Sequence, residues 1–216
     1  MRYRLIVFDW DGTLVDSTGA IAACIQAAAR ELELEVPDEA RARHVIGLGL
    51  HESLRYAVPD LPPQQVAAFI DCYRREFLSR ERTMGVFPGV TGLLDTLHGR
   101  GHLLAVATGK SRRGLERALD AAGLRARFVA TRCADETLPK PDPAMLNELM
   151  HALAALPAET LMIGDTSHDL GMAAAAGVDA VAVAYGAHGG EDLRALSPRA
   201  CVSSVDELAR WLTRHA

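Results

Sequence analysis

The chain has 216 residues, 49% hydrophobic and 24% charged, a globular composition that excludes long disordered tracts. Its 23 basic and 28 acidic residues leave a formal net charge of -5. That charge argues against nucleic acid or an anionic membrane surface as partner, because both select a basic excess.

The first apolar run, Leu5 to Phe8, stops at Asp9. It is too short for a signal-peptide core or a membrane span. The cysteines (Cys24, Cys72, Cys133, Cys201) are scattered, with no Cys-x-x-Cys pair and no histidine at zinc spacing, which predicts reduced thiols and a cytoplasmic protein. Leu5–Phe8 reads as a strand buried on both faces, and Asp9-Trp10-Asp11-Gly12-Thr13 follows it. Far more chain than one crossover helix separates this strand from the next. Within it Ile21, Cys24, Ile25, Ala28 and Leu32, and then Val66, Phe69, Ile70, Tyr73 and Phe77, recur at helical spacing, with Asp16 or Ser17 available to cap the first helix. The stretch Gly85-Val86-Phe87-Pro88-Gly89 reads as the return to the sheet. A helical insert is therefore expected at 16–85, with the core formed by 1–15 and 86–216.

Beyond the insert, helical patterns at 90–97, 113–122, 144–154 and 170–176 alternate with apolar runs at 103–107, 128–130, 161–163 and 178–183. The chain closes on a helix at about 204–214. Strand alternating with helix predicts a doubly wound, Rossmann-like parallel sheet. In such a sheet ligands bind beyond the carboxyl ends of the strands, so the residues after each run carry the chemistry. These are Asp9 and Asp11, then Thr108-Gly109-Lys110-Ser111, then Gly164-Asp165-Thr166-Ser167-His168-Asp169, with Lys140 between prolines before a helix start. His168 reads as an exposed helix-start residue and Gly186–Gly190 as a plain loop.

Carboxyl groups gathered at one sheet edge repel one another unless a cation shares the site, and oxygen ligands with spare water positions suit Mg²⁺. Lys140 and the backbone N–H groups around Thr108 and Gly109 form an opposing, anion-binding side. A metal, a lysine and amide and hydroxyl donors together hold a phosphoryl group. One carboxylate can then act as nucleophile, and a second two residues on as general acid and base. An EF-hand fails because Thr13 and Leu14 stand where a ligand and a glycine are required, and a P-loop fails because Leu104 takes the place of its first glycine.

With these motifs in order, the sequence resembles the haloacid dehalogenase superfamily of phosphotransferases over essentially its whole length. Asp9-Trp10-Asp11-Gly12-Thr13-Leu14 is similar to that family's first motif, Thr108 to the second, Lys140 to the third, and Gly164-Asp165 with Asp169 to the fourth. The resemblance implies Asp9 as nucleophile and Asp11 as general acid/base. It implies Mg²⁺ held by the Asp9 carboxylate, the Asp11 carbonyl and the Asp165 carboxylate, with Asp169 orienting metal-bound water. It also implies Thr108 and Lys140 as phosphoryl ligands and the helical insert as a cap over the site. The phosphoglycolate phosphatase-like branch is the most similar, which implies a small phosphorylated metabolite as substrate and a monomer or homodimer. His44, His51, Arg55 and Gly47-Leu48-Gly49 lie in the cap and are candidates to face the substrate.

A dehalogenase of this fold does not need Asp11, and phosphonate hydrolysis needs a cap lysine, which 16–85 lacks. A phosphomutase sharing all four motifs and a non-catalytic phospho-ligand sensor stand as alternatives to a Mg²⁺-dependent phosphatase.

Overall fold

Strand β1 (Leu5–Phe8) sends its side chains alternately into two cores. Ile6 and Phe8 pack into one cluster, Leu5 and Val7 into another, and all four are fully buried. The computed structural model describes residues 2–216 apart from the Arg82 side chain; Met1, which opens the expected core segment, lies outside them. Strands β2 (Leu103–Thr108), β4 (Thr160–Gly164) and β5 (Asp179–Val183) alternate in the same way, with β3 (Ala130–Cys133) and β6 (Ala200–Val202) at the edges. The sheet is parallel throughout, in the order β3-β2-β1-β4-β5-β6. Apolar runs without alternation are what a sheet covered on both faces requires.

The insert carries α1 (Thr18–Glu31), α2 (Glu39–His44), α3 (Leu50–Ala57) and α4 (Val66–Arg80). On the sheet, α5 (Val90–Gly99), α6 (Arg112–Ala122) and α10 (Val205–His215) cover one face. Helices α7 (Ala144–Ala152) and α8 (Ser167–Ala175) cover the other, and α9 (Gly190–Ala195) packs through Leu193 against Leu170 and Ala182. The strand order reverses at the β1/β4 seam, where Phe8 stands level with Ile163. The crevice beyond that seam is the ligand position of doubly wound sheets.

Helices α1 to α4 bury their own cluster, in which Ile21, Ile25 and Ala28 meet Phe69 and Cys72. The chain leaves and re-enters the sheet domain at one place. The Asp16 amide donates to the Gly85 carbonyl at 2.9 Å and the Phe87 amide to the Leu14 carbonyl at 3.0 Å.

Several expected elements shift. The third strand is 130–133 rather than 128–130, because Phe128 is drawn into the core, edge-on to Phe8 and Trp10 at 6.5 Å. Helix α7 stops at Ala152, and Ala154 adopts a left-handed φ of 49°. Ser17 stands at the start of α1 but makes no capping bond; its hydroxyl donates instead to Asp11 Oδ1 at 2.7 Å. All four cysteines are unpaired, and no described helix is long and apolar enough to cross a membrane.

Candidate active site

Asp9 is the first residue past β1, held by its amide donating to the Ile163 carbonyl of β4 at 2.9 Å. The chain then turns sharply, with the Leu14 amide donating to the Trp10 carbonyl at 3.0 Å and the Gly12 amide to the Val15 carbonyl at 2.9 Å. Gly12 has φ +79°, and a Cβ there would lie 2.1 Å from Asp165 Oδ2. Both conformation and space therefore demand glycine. The turn delivers Thr13, whose hydroxyl donates to Asp165 Oδ1 at 2.8 Å. Asp165 follows β4 directly, and its Oδ2 accepts the Ala187 amide at 2.7 Å. Residues 186–190, expected as a plain loop, thus help to hold a site carboxylate.

One turn into α8, Asp169 completes a reciprocal cap. Its Oδ2 accepts from the Thr166 amide at 3.1 Å and the Thr166 hydroxyl at 2.7 Å. Its Oδ1 accepts from Lys140 Nζ at 2.6 Å, and the same ammonium lies 2.8 Å from Asp9 Oδ1. Asp9, Lys140, Asp165 and Asp169 are all buried, so one contact cluster unites four of the expected site residues. Lys140 is thus the charged partner of Asp9 Oδ1, while Asp9 Oδ2 is buried without a hydrogen-bond partner.

Electrostatics follow from this packing. Burial pushes the Asp9 carboxyl up to about 7, an effect that Lys140 reduces and Asp169 and Asp11 reinforce. Burial, then Asp9 and Asp169, raise Asp165 well above the usual carboxylate range. For Lys140 burial acts downward, but the carboxylates of Asp169 and Asp9 outweigh it and the ammonium is stabilised. One ammonium lies between two buried carboxylates, Asp9 and Asp169, and Asp165 is a third buried carboxylate beside them. Asp9, Asp165 and Asp169 each offer an oxygen within 4.8 Å of the others. The unpartnered Asp9 Oδ2 and the surplus of negative charge fit an oxygen-liganded divalent cation.

Asp11 sits at the edge of this cluster with its carboxylate on other partners: Ser17 on Oδ1, and Lys110 Nζ 3.0 Å from Oδ2. Thr108 ends β2, buried, with its hydroxyl accepting the Lys110 amide at 3.3 Å. A Cβ on Gly109 would meet the Gly47 carbonyl carbon and oxygen at 2.7 Å and the Leu48 oxygen at 2.8 Å. The helical insert therefore rests directly on the loop after β2. Gly47 lies close to Asp9; a Cβ there would stand 3.8 Å from Asp9 Oδ2. Of the other cap candidates, His51 and Arg55 are exposed on α3 and reach none of these groups.

His168 is a correction. Rather than an exposed helix-start residue, it is only 9% exposed, with Nε2 at 2.7 Å from the His44 carbonyl. His188 Nε2 lies 3.1 Å from the same oxygen, and its ring stacks on His44 at 5.1 Å. Burial lowers the His168 imidazole to about 4 and lowers His188 too, so both are neutral at pH 7. Together they tie the insert to the sheet domain. Sequence reasoning also missed what Ser17, Thr13 and Lys110 do. Lys110 alone left a signal, as one of only two lysines among 23 basic residues.

Comparison with known proteins agrees with this geometry. The model of the haloacid dehalogenase-like hydrolases matches residues 6–183. The chain is 38% identical over 212 residues to "Probable phosphatase IndB" of Dickeya dadantii, covering 94% of this chain and 91% of that protein. It is 33% identical over 217 residues to "Phosphoglycolate phosphatase" of Pseudomonas putida, covering 95% and 78%. The crystal structure of "a predicted phosphatase" from Clostridium acetobutylicum superposes with a TM-score of 0.85 at 26% identity, over 99% of this chain and 100% of that one. The chain belongs to the haloacid dehalogenase-like hydrolases, among that family's phosphatases.

Proposed function

We propose that this protein is a Mg²⁺-dependent phosphatase that hydrolyses a small phosphate monoester through an aspartyl-phosphate at Asp9. The observation that carries the reading is the Asp9 carboxylate itself, buried, with the Lys140 ammonium 2.8 Å from Oδ1 and no hydrogen-bond partner on Oδ2. An oxygen so placed is available for attack on phosphorus.

In this reading an Asp9 oxygen bonds to phosphorus as the ester P–O bond breaks, and Asp11 gives the departing alkoxide its proton. Asp11 then takes a proton from water as the water oxygen bonds to phosphorus. The bond to Asp9 breaks and inorganic phosphate leaves. Lys140 offsets charge on Asp9, fixed in place by Asp169. Thr108 and the amide of Gly109 bind phosphoryl oxygens. The Asp9 and Asp165 carboxylates and the Asp11 carbonyl would hold Mg²⁺, which when bound supplies charge neutralisation at the phosphoryl group. Residues 16–85 act as the cap, which excludes water from the intermediate. The relatives' names support a phosphoglycolate-like substrate, and the reading is of a cytoplasmic enzyme, monomeric or homodimeric.

Phosphate release from a panel of small esters tests this, with Mg²⁺ and with chelator. Asp9→Asn is expected to lower Mg²⁺-dependent release by about a thousandfold or more, roughly 4 kcal/mol of transition-state stabilisation. Substantial release by that folded variant would remove Asp9 as nucleophile.

A further inference from the structure

Residues 185–188, just after β5, meet the turn after β1, the Asp165 carboxylate and the helical insert in succession. Tyr185 donates its hydroxyl to the Thr13 carbonyl at 3.2 Å, and Thr13 in turn donates to Asp165 Oδ1. The backbone of Gly186 is pressed against Asp165, where an added Cβ would lie 2.2 Å from Oδ2. The Ala187 amide donates to Asp165 Oδ2 at 2.7 Å, and the His188 amide to the Asp165 carbonyl at 3.3 Å. Asp165 is gripped at its carboxylate and at its backbone by consecutive residues. The position of that carboxylate therefore follows the position of the segment.

His188 carries the grip across to the insert. The Ser167 amide donates to His188 Nδ1 at 3.0 Å. An amide N–H can only donate, so Nδ1 offers its lone pair and Nε2 bears the proton. That Nε2–H faces the His44 carbonyl of the insert at 3.1 Å, and His168 Nε2 faces the same oxygen at 2.7 Å. The rings of His44 and His188 are parallel to within 5°. On spacing alone these three imidazoles, with nitrogens within 4.8 Å of one another, would admit an imidazole-liganded metal. Both nitrogens of His188 and Nε2 of His168 already hold protein groups, however, and this leaves the cluster the task of seating the insert.

We propose that His188 is a positioning residue that couples the seating of the insert to the Asp165 carboxylate. A divalent cation at Asp9 and Asp165 and the seated insert then strengthen each other, because coupling between two sites is reciprocal. An insert drawn onto His188 fixes the Ala187 amide against Asp165. A cation that fixes Asp165 steadies His188 beneath the insert. The inference rests on Asp9 and Asp165 acting as cation ligands, as read above, and is independent of which ester is hydrolysed.

The test compares the wild type with His188→Asn and His188→Gln, without substrate. Asparagine keeps an acceptor near the Nδ1 position for Ser167 but is too short to reach the His44 carbonyl, whereas glutamine places a donor near the Nε2 position. Mg²⁺ affinity is measured by calorimetry, and backbone hydrogen exchange across α2 and α3 with and without Mg²⁺. In the wild type Mg²⁺ is expected to slow that exchange by about fivefold or more. His188→Asn is expected to reduce the slowing to less than about twofold and to weaken Mg²⁺ binding by about fivefold or more. His188→Gln should retain most of both effects. Equal slowing in the wild type and His188→Asn, or none in the wild type with Mg²⁺ bound, overturns the proposal and leaves the phosphatase reading standing. Should His188→Asn fail to fold, the same losses are required of His188→Phe, which keeps a ring and drops both nitrogens. Wild-type protein that binds no Mg²⁺ would remove the cation reading and this inference together. Coupling without ester hydrolysis would remove the phosphatase reading alone.

Discussion

Lys140 shows how much a single residue carries. Its ammonium is buried between Asp9 and Asp169, with Asp165 close by. Removing one partner of a buried ion pair leaves an uncompensated charge at a cost of about 3–5 kcal/mol. Lys140→Met is therefore expected to lose stability on that scale in chelator. Mg²⁺ should recover part of it, because the cation supplies the missing charge. Urea unfolding with and without Mg²⁺ checks this, and an equal loss under both conditions would contradict the shared-charge picture. Asp9, Asp11, Lys140, Asp165 and Asp169 were legible in the sequence because each follows an apolar run or stands between prolines. Their partners were not. Ser17 looked like a helix cap and His168 like a surface residue, because partners 6 and 124 positions away decide their roles.

Elements were legible in proportion to their hydrophobic signal. The central strands have apolar side chains on both faces and appeared at nearly their observed bounds. Strand β6 spans three residues and β3 includes Thr131 and Arg132, so edge pairing there leaves little pattern to read. In the insert, α1 and α4 showed clear periodicity, whereas α2 and α3, six and eight residues long, did not. The seating of the insert on the loop after β2 is a backbone-to-backbone contact that no side-chain pattern announces. It does predict an outcome. A Cβ at Gly109 would collide with the Gly47 carbonyl group and the Leu48 oxygen, none of which is a flexible side-chain end. Gly109→Ala is expected to lift the insert away from Asp9 and lower kcat/KM by about 10- to 100-fold, since displacements near 1 Å carry penalties of that size. The melting temperature of the sheet domain should change little. Wild-type kinetics in this variant would show that closure tolerates the displacement.

For the molecule as a whole, the buried carboxylates make stability depend jointly on pH and metal. The Asp9 carboxyl titrates near 7 in the fold and near ~3.9 in an unfolded chain, so the folded state keeps a proton that the unfolded state releases. The stability this provides is complete below the unfolded value and is lost as pH rises through the folded one. Asp165 acts in the same direction. His168 and His188, whose values burial depresses, act oppositely and only below about pH 6.5. Between pH 6.5 and 8, metal-free protein is therefore expected to lose about 1 kcal/mol or more. Stabilisation by Mg²⁺ should grow over the same interval, because its ligands must be ionised. Urea titrations at the two pH values, in chelator and in Mg²⁺, measure both trends. A metal-free protein more stable at pH 8 would contradict the charge assignment.

The paired crossing of Leu14–Asp16 with Gly85–Phe87 has a consequence for how such a molecule diversifies. An excursion whose two ends are bonded to each other is a side branch of the chain, topologically no larger to the sheet domain than a tight turn. Asp9 and Asp165, at the ends of β1 and β4, and Lys140, in the segment before α7, all lie outside that branch. Under the proposed function most of the chemistry lies outside the branch, so a lineage can rewrite it in length or in sequence as long as the contacts that Ser17, His44 and Gly47 make with the sheet domain are kept.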